Sequence, residues 1–243
     1  MAEKEHQKLL LLGLSFSSAL IAASVYLYKF HYFQINTALD IPKSYFKTRT
    51  LKGIALKIPD GDNLRLYHCP TLKSSWRIKN ELKNIKTHPY NSSEKNIKPT
   101  QKLSEKTINV RLYGIDAPEI GHFGNKSQKF AVEAREFLQS LVLGKKLFIL
   151  PLKIDIYNRV VAVVYIKNFW FFNRDISSEM IKAGMATIYE GRDIAYHSGL
   201  NSLVLEEMKA KSNKIGIWSQ SKKNLESPRD YKTRIRKIKQ NKI

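Results

Sequence analysis

The sequence predicts an α+β chain that is mainly β: a small five-stranded β-barrel with flanking helices, preceded by one N-terminal transmembrane helix. Three observations predict it. Short apolar runs with a period of two recur between residues 51 and 166, and amphipathic stretches with a period near 3.6 lie between and after them. Ahead of both, Leu9 to Tyr28 contains no charged residue.

That first run is long enough, at about 1.5 Å per residue, to cross the hydrocarbon core of a bilayer, roughly 30 Å. Small residues (Gly13, Ser15, Ser17, Ser18, Ala19) are interspersed, as membrane helices tolerate. Tyr26, Tyr28, Phe30, His31 and Tyr32 resemble an interfacial aromatic belt, and Lys8 and Lys29 bracket the span. A cleaved secretory signal fits less well, because the run exceeds the usual core of about 7–15 residues and no clear small-residue cleavage site follows. Residues 29–47 read as a juxtamembrane connector.

From Leu51 the period becomes two. Ile54, Leu56 and Ile58 alternate, Asp60-Gly61-Asp62-Asn63 makes a turn, and Leu64, Leu66 and His68 alternate again, which is a hairpin with an acidic tip. Between residues 69 and 106 the rhythm dissolves into Lys, Asn, Ser and Pro, a basic surface insertion joining two strands. Ile108, Val110 and Leu112 restore the alternation, with Arg111 on the other face. Lys126 to Val142 has a helical apolar face of Phe130, Ala134, Phe137, Leu138 and Leu141, stopped by Gly144. Leu147 to Leu152 and Val160 to Ile166 are two more strands, linked through Asp155-Ile-Tyr-Asn-Arg159. A brief helix from Ile176 to Ala183 ends at Gly184, a last one covers about Ile194 to Lys211, and Ile215-Gly-Ile-Trp218 closes the domain of residues 48–220. The tail, 221–243, has nine Lys or Arg against two acids and reads as disordered.

Composition narrows the partners. At 243 residues the chain holds one ordinary domain plus appendages, and a 43% hydrophobic share supports a folded core. The net charge of +21 implies a polyanionic partner, nucleic acid or anionic lipid, without choosing between them. A single cysteine, Cys69, excludes an intramolecular disulfide, and no Cys/His spacing fits zinc.

The chemistry concentrates in Arg111-Leu-Tyr-Gly-Ile-Asp116-Ala-Pro-Glu119, a strand that presents a cation and then breaks into a turn with two carboxylates. Hard cations take carboxylate oxygens, and phosphoryl groups in transfer are met by Arg and metal clamps. Singly, an Asp-Gly-Asp is far more often a hairpin turn, and an Arg and a Glu on one surface can be a simple ion pair. Taken in order, Asp60-Gly-Asp62, then Arg111…Asp116-Ala-Pro-Glu119, Asp155-Ile-Tyr-Asn-Arg159, Gly184-Met-Ala186 and Ile217-Trp218 resemble the staphylococcal-type thermonucleases. With the N-terminal anchor, the whole chain is similar to the fungal membrane-bound, mitochondrial endonucleases of that family.

The resemblance implies an OB-like barrel and a calcium-dependent endonuclease, a phosphodiester hydrolase of DNA or RNA that attacks on the 5′ side and leaves 3′-phosphorylated ends. By the same resemblance Asp62 and Asp116 are calcium ligands, with the backbone carbonyl of Ala117. Glu119 activates water, Arg111 and Arg159 grip the scissile phosphate, and Tyr189 lies near where an aromatic side chain stacks on a base. The departures are Asn63 for a Thr, Ala117 for a Thr, and Asn158 for the Gly before the second Arg; Asn tolerates left-handed backbone angles. The alternative function is a catalytically inactive nucleic-acid-binding module tethered to a membrane; its catalytic residues are usually eroded, which Arg111, Glu119 and Arg159 are not.

Overall fold

The computed structural model describes residues 2–85, 102–121, 126–167, 173–191, 199–221 and 225–240, without the side chains of 2–4, 7–13, 29–30 and 239. Helix α1 (Ala2–Leu27) comes first and continues into a π-helical turn, Tyr28–Tyr32. The barrel hairpin follows as β1 (Leu51–Asp60) and β2 (Asn63–His68), then α2 (Ser75–Asn84), β3 (Ile108–Leu112) and the short β4 (Ile115–Asp116). Next are α3 (Ala131–Val142), β5 (Lys146–Ile154), β6 (Val160–Lys167), β7 (Asn173–Asp175), α4 (Ile176–Lys182), β8 (Thr187–Ile188), α5 (Leu200–Ser212) and α6 (Pro228–Gln240).

The strands pair in the order β3-β2-β1-β5-β6-β7, and β3 also pairs in parallel with β6, Val110 opposite Val160. That extra pairing closes β1, β2, β3, β6 and β5 into a five-stranded barrel, which removes the open edges a sheet would otherwise present. Leu64, Leu66, Ile108, Val110, Leu147 and Ile149 fill its interior with essentially no solvent exposure. α3 and α4 cap the same core through Ala134, Leu138, Ile176, Met180 and Ile181. β4 and β8 form a separate two-stranded ladder, Asp116 opposite Thr187.

Several expectations shift. In β1 the inward residues are Leu51, Gly53 and Ala55, whereas Ile54 and Leu56 pack outside against Tyr67, Cys69 and Ile85. A register irregularity between Ala55 and Lys57 reverses the parity, so Ile58 returns to the core. A one-residue slip always exchanges the two faces of a strand. α3 starts at Ala131, not Lys126, because Phe130 takes a left-handed backbone (φ 68°) that no helix continues. Part of the basic insertion is helical: α2 is N-capped by the Ser74 side chain and packs Ile78 and Leu82 onto the outer cluster. Residues 86–101 lie outside the described ones.

The connector is more than a spacer. Ile35, Ala38, Ile41 and Tyr45 are buried in the main core, so the folded unit begins well before residue 48. The tail likewise holds α6, where disorder was expected. Among the described residues no helix is long and apolar enough to cross a membrane. The expected span includes residues 9–13, whose side chains are not described, while its remainder carries Leu14, Phe16, Leu20, Ile21 and Val25 exposed.

His68 fastens the connector to the barrel. Its Nδ1 accepts the Ile35 N–H at 3.1 Å, and Gln34 Nε2 donates to its carbonyl at 2.7 Å. Burial, with Lys73 and Arg49 nearby, pushes its pKa down to about 4 from 6.5, which keeps the ring neutral and able to accept that bond. The folded state therefore binds fewer protons than the unfolded chain in this interval. The resulting stability is full above about pH 6.5 and is lost as pH falls through about 4, an effect of roughly 3 kcal/mol. His68→Gln keeps an acceptor that does not titrate. Urea unfolding across pH 4–7 should show the wild-type chain losing stability relative to this variant as pH drops; parallel curves would refute the assignment.

Candidate active site

The hairpin turn between β1 and β2 places Asp62 against the segment that follows β4. Gly61 makes this possible: a Cβ there would lie 2.7 Å from the Ala117 Cβ and 3.0 Å from that of Ala134. Inside the turn, Asp60 Oδ1 accepts from the Asp62 N–H (3.3 Å) and from Asn63 Nδ2 (2.8 Å). Leu112 N–H donates to the Asp62 carbonyl at 2.9 Å, which ties the turn to the end of β3.

Arg111 stands at the centre. It pairs across the sheet with Asn63, and its guanidinium meets both aspartates: Nη1 is 3.0 Å from Asp62 Oδ2, and Nη2 donates to Asp116 Oδ1 at 2.9 Å. Both carboxylates are buried, at 3% and 5% exposure. Two buried acids thus share one guanidinium. Burial drives the Asp62 pKa well up; the attraction of Arg111 opposes it, and repulsion from Asp60 and Asp116 adds to it. Arg111 itself is held above the usual arginine value, because the two aspartates outweigh its own desolvation. The guanidinium therefore stays charged, and the excess negative charge falls on the carboxylate pair.

Asp62 Oδ2 is close to Arg111 but lacks the alignment of a hydrogen bond, and it is buried without another partner. Asp62 Oδ2 thus has a charge partner but no hydrogen bond, and a hard cation is a ligand that such a buried carboxylate oxygen accepts. Among the described residues no group of three or more His, Cys, Asp or Glu converges on a single point. What the chain offers an ion here is the pair of carboxylates, Asp62 and Asp116, that Arg111 holds together.

Arg159 approaches from the β5–β6 connection. Asn158 adopts the left-handed conformation (φ 56°), so the turn survives without glycine. Asp155 then receives three bonds: from the N–H of Tyr157 and of Arg159 at 2.9 Å each, and from Arg159 Nε at 2.7 Å. Burial opposes the charge on Asp155, but these bonds outweigh it and lower its pKa. Arg159 Nη1 reaches Asn63 Oδ1 at 3.2 Å, and Asn63 Nδ2 donates to Asp62 Oδ1 at 2.6 Å. Asn63 is thus the bridge between the carboxylate pair and the second arginine. The sequence marked it only as a departure from Thr; an amide, unlike a hydroxyl, can donate to one neighbour and accept from the other at this span.

Glu119 is partly exposed on the 117–130 segment. Its N–H donates to Gln128 Oε1 (3.1 Å), and its carbonyl accepts from the Gln128 N–H (2.9 Å). Its carboxylate faces Lys232 of α6, 2.8 Å from Oε1, and the same ammonium lies 2.7 Å from Asp116 Oδ1. Sequence reasoning missed Lys232 altogether. Tyr189, fixed by its N–H to the Gly114 carbonyl, carries the Arg111 guanidinium 5.3 Å from its ring centroid, so it supports that arginine. The aspartates lie inside, and Glu119 and Lys232 form the more exposed side of the group. A cavity of about 470 Å³ between Phe33, Tyr45, Phe148 and Lys52 includes none of these residues.

Residues 109–220 match the family model described as staphylococcal nuclease homologue. A probable endonuclease, LCL3, of Komagataella phaffii is 38% identical over 200 residues, covering 82% of each chain. A probable endonuclease of Schizosaccharomyces pombe is 36% identical over 237 residues, 92% of this chain and 95% of its own. A third, from Sclerotinia sclerotiorum, is 38% identical over 216 residues, 88% of this chain and 77% of its own.

Proposed function

The chain belongs to the staphylococcal nuclease homologue family, and from that premise we propose a calcium-dependent endonuclease of DNA or RNA held at a membrane by its N-terminal helix. As a member it is a nuclease, a hydrolase of phosphodiester bonds. The observation that carries the calcium reading is the pair of buried aspartates, one with an oxygen that no hydrogen bond satisfies. Asp62, Asp116 and the Ala117 carbonyl would hold the ion. When bound, it neutralises charge on the phosphate and lowers the pKa of a coordinated water.

The side chains supply the rest. Glu119 accepts a proton from the attacking water as the new bond to phosphorus forms. Arg159, aimed by Asp155 and Asn63, meets the charge that grows on the equatorial oxygens, and Arg111 does so from beside the aspartates. The P–O5′ bond then breaks, giving a 3′-phosphate and a 5′-hydroxyl protonated from solvent. The chain's net charge of +21 attracts the polyanion before any of this.

Anchoring rests on the charge-free run 9–28 and on the apolar side chains that α1 leaves exposed, a pattern with no use for water. A mitochondrial membrane is the proposed location, on the family resemblance of the sequence motifs alone. One experiment tests activity and anchoring together. Membranes carrying the full chain, washed with carbonate, should retain the protein and cut plasmid and RNA with calcium but not with chelator. Extraction by carbonate would remove the anchor from the proposal. Cleavage indifferent to chelator would remove calcium, and binding without cleavage would leave only the inactive binding module.

A further inference from the structure

We propose that Lys232 is a built-in cation that occupies the metal-binding side of Asp116 and Glu119, so that α6 and a divalent ion exclude each other. This rests on the reading of Asp116 as a metal ligand and Glu119 as the proton acceptor. The Lys232 ammonium bridges those two carboxylates, at 2.7 and 2.8 Å, from a position 116 residues away from Asp116. It fills the position of positive charge that the acids need when no ion is bound. With the ammonium in place, Glu119 Oε1 is engaged and Asp116 Oδ1 serves two cations, Arg111 and Lys232.

The contact is seated, not incidental. Tyr231, buried beside it, donates from its hydroxyl to the Lys126 carbonyl at 2.7 Å. Buried Gln128, which also holds the Glu119 backbone, donates to the Glu226 carbonyl at 2.6 Å just before the helix. Ser227 caps the helix by accepting the Asp230 N–H at 3.1 Å. Arg234 grips Glu226 with two bonds, 2.7 and 2.9 Å. A tethered group of this kind acts at an effective concentration on the order of millimolar, enough to compete with calcium at a two-carboxylate site. The ion has twice the charge and wins when abundant, releasing α6.

Calcium binding to the full chain in detergent, stripped of metal, separates the possibilities by calorimetry. Lys232→Met removes the charge and keeps a straight apolar stem of good helix propensity. If the plug is closed about nine-tenths of the time, this variant binds calcium about tenfold more tightly than the wild type. Asp116→Asn should abolish binding in both backgrounds. A second measurement uses only the wild-type chain: calcium should speed tryptic cleavage after the exposed Arg234, Arg236 and Lys237 as α6 leaves the two carboxylates. Equal or weaker calcium affinity in Lys232→Met, or slower tail cleavage with calcium, overturns the plug and leaves the metal site standing. No calcium binding by any of the proteins removes the metal site and the plug together.

Discussion

Arg159→Lys is expected to lower turnover by about 10²–10³-fold while changing substrate affinity little. Three features fix the native guanidinium: Nε on Asp155 at 2.7 Å, Nη1 on Asn63 at 3.2 Å, and the Tyr157 ring 5.3 Å from its carbon. Two of its three nitrogens are thereby committed to aiming it, and Nη2 has no hydrogen bond among the described residues. That leaves a preorganised donor for charge that appears only in the transition state. A lysine offers one nitrogen. It can satisfy Asp155 or approach a phosphate, but not hold a fixed angle to both. The exposed Arg236 of α6 is the useful contrast, since a cation there belongs to the diffuse field. Arg236→Ala should raise KM most at low salt, where screening is weakest, and leave kcat alone. Steady-state cleavage of a short labelled oligonucleotide at two salt concentrations distinguishes the two. Should both variants show the same salt-screened loss, Arg159 is an ordinary surface cation.

The parts of this site that were legible in the sequence are those where a periodic strand runs directly into chemistry. Ile108, Val110 and Leu112 point inward as their spacing requires, so Arg111 had to face the other way, and Asp116 and Glu119 follow within a few residues. The structure brings Asp62, Arg111 and Asp116 into direct contact and links Arg159 to them through Asn63. What stayed hidden depends on long-range packing. A bulge cannot be read from composition, so the alternation of Ile54, Leu56 and Ile58 does not reveal that the first two pack outside the barrel and the third inside it. The connector's Ile35, Ala38, Ile41 and Tyr45 recur every three or four residues, but two short 3-10 turns, Ala38–Asp40 and Lys43–Tyr45, stand there instead of one helix, and burial in the main core explains them. The tail did carry a signal. Ser227-Pro228-Arg229-Asp230 is a cap followed by proline in the first turn, and Tyr231, Ile235 and Ile238 recur at helical spacing. Nine basic residues concealed it by making the segment look solvated. No local pattern could have shown that one of them, Lys232, reaches across to Asp116.

Arg111→Met should destabilise the apo chain by about 3–5 kcal/mol, a large share of a domain's total stability. The buried aspartates explain the size. Asp116 would keep Lys232, but Asp62, at 3% exposure, would retain only its bonds within the turn. Its carboxylate would then have to take up a proton or remain as an uncompensated buried charge. Two conditions should reduce the deficit. Lowering the pH protonates Asp62, whose pKa burial already raises, so the variant should approach the wild type as pH falls toward the carboxylate range. Calcium replaces the missing positive charge, and at about 100 times its Kd it returns about 2.7 kcal/mol to any chain that binds it only when folded. The variant should therefore gain more from calcium than the wild type, in which the guanidinium already competes with the ion for Asp62 and Asp116. Urea unfolding of both chains, with calcium and with chelator, at neutral and mildly acidic pH, measures each part. A loss below about 1 kcal/mol that neither acid nor calcium alters would make Arg111 one arm of an ordinary surface ion pair. A loss that calcium repairs instead marks the two aspartates as a cation site that Arg111 keeps folded until the ion arrives.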